Sequence, residues 1–144
     1  MIEQDTIKLL RECDAGIKMG VSSIGEVMKH IKSEKLAKYL SDSKEEHERL
    51  DEKLQKLLEK YKDDGKEPNP IAKGMSWIKT NMMLNMNESD STIADLMTDG
   101  CNMGVKSLSK YLNQYAAADE ESKDICKKLI KLEEELSVQM RDFL

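Results

Sequence analysis

The stretch Gly16-Ile17-Lys18-Met19-Gly20-Val21-Ser22-Ser23 returns later in the chain as Gly100-Cys101-Asn102-Met103-Gly104-Val105-Lys106-Ser107. Both read G-x-x-M-G-V-x-S, and both continue with an aliphatic residue, Ile24 or Leu108. Five of the eight positions are identical, and each copy sits inside a helical pattern. That predicts a duplicated pair of helices related by a pseudo-twofold axis.

Working outward, the first copy belongs to a helix from about Asp5 to Lys32, with apolar residues at Leu10, Ile17, Val21, Ile24, Met28 and Ile31. Steps of three and four place them on one stripe facing a core. Ser33 is the expected N-cap of a second helix, about Glu34 to Lys62, whose stripe is Leu36, Leu40, Ser43, His47, Leu50, Leu54, Leu57 and Tyr61. Asp63-Asp64-Gly65 ends it, with Gly65 free to take the left-handed conformation of a cap. The second copy lies in a third helix, starting at Ser89 or Asp90 and reaching about Tyr115. Its stripe is Ala94, Thr98, Cys101, Val105, Leu108, Leu112 and Tyr115. Asp119 caps a fourth helix, and Glu120 and Glu121 occupy the first turn, where the helix dipole favours acids. That helix continues to the C-terminus through Cys126, Leu129, Ile130, Leu136, Met140 and Phe143.

The short connections imply two antiparallel hairpins, about 5–62 and 89–144, within a single domain spanning 1–144. The crossover between them, about 63–88, is itself expected to hold a short helix. Asn69 would cap it, Pro70 take its first position, and Ile71, Met75, Ile78 and Met82 share a face. Two short connections around one long crossover is ferritin-like connectivity.

Composition agrees with an all-α chain. Its 144 residues are rich in Leu, Lys and Glu and poor in Gly and Pro. The net charge of -5 and a pI near 5.2 argue against nucleic-acid binding. No apolar run approaches the ~20 residues of a membrane span, so a soluble protein is expected. The N-terminus has no basic segment followed by an apolar one, the pattern of a secretory signal. Cys13, Cys101 and Cys126 are widely spaced and form no C-x-x-C, which predicts reduced thiols in a cytoplasmic protein.

With four long helices, one crossover and a duplicated hairpin, the whole chain resembles the ferritin-like superfamily. Within it, the chain is similar to small bacterial ferritin-like four-helix domains with a degenerate di-iron motif. The resemblance implies the fold, a ferritin-like four-helix bundle. It does not imply the chemistry. Active di-iron members carry Glu on helices one and three and Glu-x-x-His on helices two and four. Here Lys44 stands three residues before His47, and the fourth helix has no histidine.

Polar residues that interrupt the core stripes are the remaining candidates, because burying them unpaired is costly. Asp14 falls between Leu10 and Ile17, His47 between Ser43 and Leu50, and Glu133 between Ile130 and Leu136. Counted from the short turns, His47 should lie level with Ile17 and Glu133 level with Cys101. One reading is a buried His–carboxylate hydrogen bond that fixes helix register. The other is a reduced site of His47, Glu133, Asp14 and Cys101 for a single divalent transition metal, zinc, iron or manganese. The first is preferred, so no metal, cofactor or catalytic residue is expected.

Met82-Met83-x-x-Met86 resembles a soft-metal site, but apolar packing of the crossover, with Trp77, explains it better. Gly16 with Gly20, and Gly100 with Gly104, suggest close approach of helices one and three, or a groove for the crossover. No phosphate-binding glycine loop, nucleophile elbow or H-E-x-x-H is present. The expectation is a non-catalytic structural or interaction protein, forming a homodimer or small oligomer, with another protein as a candidate partner. The alternative is a divergent metal-binding or redox protein around His47 and Glu133.

Overall fold

The computed structural model describes residues 2–66 and 89–144. Among these residues there are four long helices and no strand: α1 (Ile2–Met28), α2 (Glu34–Lys60), α3 (Asp90–Gln114) and α4 (Glu120–Met140). A 3-10 turn, Arg141–Phe143, ends the chain, so α4 stops just short of the expected C-terminal residue. The expected crossover helix and its Met and Trp face, 70–86, lie outside the described residues. No helix among the described residues is long and apolar enough to cross a membrane.

The caps read from the sequence form. Ser33 accepts a hydrogen bond from the Leu36 amide, Ser89 from Thr92, and Asp119 from Ser122. Each satisfies one of the amides that a helix start leaves without an intrahelical partner. α1 ends at Met28 rather than Lys32, and the reason is tertiary. The Lys32 and Ser33 amides, which would have continued the helix, donate to the two carboxylate oxygens of Asp90, each at 2.9 Å.

α2 also ends differently from the reading. Lys62, not Gly65, takes the left-handed position after the last turn, with φ 53°. The Lys62 amide donates to Glu59 O and that of Asp63 to Leu58 O, a Schellman closure. Gly65 is left-handed too, at φ 81°, but it serves the chain beyond the cap.

The apolar core forms two clusters stacked along the bundle. One is built on Leu9, Leu10, Ile17, Leu54, Leu58 and Leu129. The other is built on Ile24, Leu36, Leu40, Ile93, Leu136 and Met140. Every helix contributes to both clusters. The ends are tied by polar contacts between helices. At one end Asp90 of α3 holds the turn between α1 and α2. At the other, Thr6 Oγ1 accepts from the Asp119 amide at 2.9 Å, and Asp5 accepts from Ala117 at 3.1 Å. Arg11 and Asp63 add a two-pronged ion pair between α1 and the end of α2, with contacts of 2.6 and 3.0 Å.

Candidate functional site

Between the two apolar clusters lies one polar layer, to which each helix contributes a residue: Gly20, His47, Gly104 and Glu133. His47 is fully buried and Glu133 is 12% exposed at its side chain. The His47 Nε2 lies 2.9 Å from Glu133 Oε1. Nδ1 lies 2.7 Å from the Ser43 carbonyl one turn earlier on α2. Gly20 makes room for the imidazole, and Gly104 stands beside the carboxylate. A Cβ on Gly20 would stand 3.0 Å from His47 Cδ2 and Nε2, and one on Gly104 would stand 3.5 Å from Glu133 Oε2.

Protonation follows from these contacts. A neutral imidazole has one N–H, but here both ring nitrogens face acceptors, a carbonyl and a carboxylate. An imidazolium would satisfy both, each ring nitrogen donating one hydrogen bond. Burial by itself pushes the imidazolium toward losing its proton. The hydrogen bond and charge of Glu133, with the Ser43 carbonyl, outweigh it and hold His47 above its ordinary value.

Cys101 lies beside this pair. Burial first, then the neighbouring Glu133 carboxylate, push its thiol well above the ordinary range, so it remains protonated.

Three of the four residues singled out in the sequence thus come together: His47, Glu133 and Cys101. Asp14 does not join them. It is fully buried as expected, but its Oδ1 accepts from Gln55 Nε2 at 3.0 Å and its Oδ2 from the Lys66 amide at 2.9 Å. Lys18 Nζ adds an ion pair at 3.1 Å. Asp14 is the anchor of the loop that follows α2. Among the described residues, no group of three or more His, Cys, Asp or Glu side chains is placed to hold one metal ion together.

Two expectations about position need correction. His47 lies against Gly20 rather than level with Ile17, about one helical turn away, whereas Glu133 does reach Cys101 as counted. The glycines Gly16, Gly20 and Gly104 are not explained by backbone contact between α1 and α3. A Cβ on each would first meet side chains, namely Leu129, His47 and Glu133.

Sequence reasoning missed a second cysteine relationship. Cys13 of α1 and Cys126 of α4 are both fully buried. A hydrogen bond to Cys126, and then burial, push the Cys13 thiol well up. Cys126 in turn donates to the Leu108 carbonyl at 3.6 Å.

A cavity of about 370 Å3 opens between α1 and α3, with Gly16, Gly20, Gly100 and Gly104 in its walls and His47 and Glu133 at its floor. The layer contains one imidazole and one carboxylate. A pair of irons in a bundle of this kind takes four carboxylates and two histidines. The donor set does not fit that centre. Comparison of the chain with protein-family models, with curated proteins and with solved structures found no match in any of the three.

Proposed function

We propose that this chain is a ferritin-like four-helix protein in which a buried ion pair holds the place of a metal centre. It acts without catalysis, through its surface, as a homodimer or small oligomer that engages a protein partner in the cytoplasm. The observation that carries this reading is the engagement of both His47 nitrogens, by Ser43 O at 2.7 Å and by Glu133 Oε1 at 2.9 Å. A proton sits between His47 and Glu133 where a ligand set would need a vacant lone pair. Gly20 and Gly104 stand in the layer on the two helices that carry glutamates in active di-iron members.

The ferritin-like connectivity draws support from the contacts. Arg11 pairs with Asp63, Asp14 with Gln55 and Gly20 with His47. Rising numbers in α1 meet falling numbers in α2, as in an antiparallel hairpin. The duplication draws support from matching ties. The cap residue of α2, Ser33, is held by Asp90 near the start of α3, and that of α4, Asp119, by Thr6 near the start of α1.

A second reading, a reduced site for one zinc, iron or manganese ion, is favoured by one feature. The Nδ1 contact with a carbonyl is the outer contact that metal-ligating histidines commonly make, and Cys101 is adjacent. Elemental analysis separates the two readings. After incubation with iron, zinc and manganese and removal of excess, the first predicts no stoichiometric metal. One metal per chain, lost in His47→Ala, would establish the second. The interaction reading also predicts a dimer or small oligomer in sedimentation. A monomer at high concentration, with no partner recovered by pull-down, contradicts it.

A further inference from the structure

The cavity between α1 and α3 has the size of a ligand site, about 370 Å3. Its described walls are mostly apolar or small, with Met19 and Ser23 on α1 and Met103 and Ser107 on α3. Its floor is polar, and its polarity has a direction. His47 is fully buried, while the side chain of its partner Glu133 is 12% exposed. The negative end of the pair therefore faces the cavity. Glu133 Oε1 is engaged by His47, whereas Oε2 lies on the Gly104 side, at the α3 wall. Glycine at 104 is not demanded by the packing of the carboxylate. An added Cβ would be in ordinary contact with Glu133, at 3.5 to 3.6 Å. What the missing side chain does is leave the route to Glu133 open. The other carboxylate in the wall, Glu12, is already bound by Lys66 at 2.5 Å, so Glu133 is the acceptor on offer.

We propose that this cavity binds an apolar molecule ending in a protonated amine, whose ammonium group donates to Glu133 at the floor while its apolar body lies between Met19 and Met103. A carboxylate-ended molecule of the same length would place like charges together, and an alcohol would forgo the charge. The apolar body is required as well as the head, because the walls offer burial and few polar partners. The inference rests on the metal-free reading of the layer, since a metal held by Glu133 would take the acceptor.

The test uses the full chain and three matched probes, n-octylamine, 1-octanol and octanoate, titrated by calorimetry at neutral pH. The amine is expected to bind tightest, by about tenfold or more over octanoate, with the alcohol between them. Butylamine, with the same head and half the chain, is expected to bind far more weakly. Gly104→Leu fills the route to Glu133 and should abolish octylamine binding, and Ser107→Leu, on the same wall, provides a second block. Both variants keep the net charge, so attraction of amines to an acidic surface would survive in them. Circular dichroism confirms that each is folded. Equal affinity for the three probes, binding that persists in both folded variants, or no binding at all would overturn the proposal.

Discussion

Glu133 of α4 and His47 of α2 meet at 2.9 Å in the middle of the bundle, and the far side of the same imidazole ring is held by the Ser43 carbonyl at 2.7 Å. Residues 86 positions apart are joined by one hydrogen bond, with apolar clusters above and below them. The pair has a register-setting geometry, because neither partner can slide by a turn without leaving a charge buried alone.

Removing one partner should therefore cost more than removing both. His47→Leu leaves Glu133 without its cation and is expected to lower stability by about 3 kcal/mol, as is Glu133→Leu for the opposite reason. The double variant should recover much of that loss, since two apolar side chains can share the space. Urea denaturation of the four proteins forms the cycle. Additive losses would show that the two residues are energetically independent.

The pair also gives stability a pH dependence of known sign. The folded His47 pKa is raised above the unfolded value of 6.5. The stabilisation is then fully present below 6.5 and is lost as pH rises through the folded pKa. The stability difference between the protein and His47→Gln should accordingly shrink on going from acid to alkaline conditions. Taking the difference cancels groups common to both. A gap that widens with pH would mean a neutral ring.

Three glycines inside α1 and α3 separate helix propensity from packing. Each replacement by Ala should gain up to about 1 kcal/mol of propensity. Gly25 has nothing within 4 Å of an added Cβ, so Gly25→Ala should realise that gain. Gly104→Ala makes ordinary contact at 3.5 Å and should stabilise too. Gly20→Ala places its methyl 3.0 Å from a ring held at both nitrogens, and should be destabilising. Thermal midpoints of the three variants test the order, and Gly20→Ala rising with the others would contradict it.

Gly65 should be less replaceable than Gly16, Gly20, Gly25 or Gly104. Its φ is 81°, and an added Cβ would run into Asp14 Oδ2. Gly65→Ala is expected to cost about 2 kcal/mol or more, from backbone strain and from displacing the Asp14 carboxylate. Asp14→Ala should also destabilise, by freeing the Lys66 amide and Gln55. A neutral Gly65→Ala would show that this loop does not depend on Asp14.

Much of this architecture is legible in the sequence because its signals are local. Ser33, Ser89 and Asp119 are caps whose hydrogen bonds close within three residues. The burial of Asp14 and His47 follows from their place on apolar stripes. What is not legible depends on distant partners. α1 ends early because Asp90, from another helix, takes the amides of Lys32 and Ser33. Asp14 is diverted by Gln55 and by a loop whose course no periodicity records. Gly20 and Gly104 are the instructive case. The repeat marks them plainly, yet their role becomes visible only when His47 and Glu133 occupy the space beside them.

The most direct test of the central claim is the nitrogen spectrum of His47 at neutral pH, recorded on the full chain with and without one equivalent of zinc. An imidazolium paired with Glu133 predicts protons on both ring nitrogens and no change when zinc is added. A neutral ring with an unprotonated Nε2, or a resonance that moves on adding zinc, would contradict the ion pair and turn the layer into a ligand set.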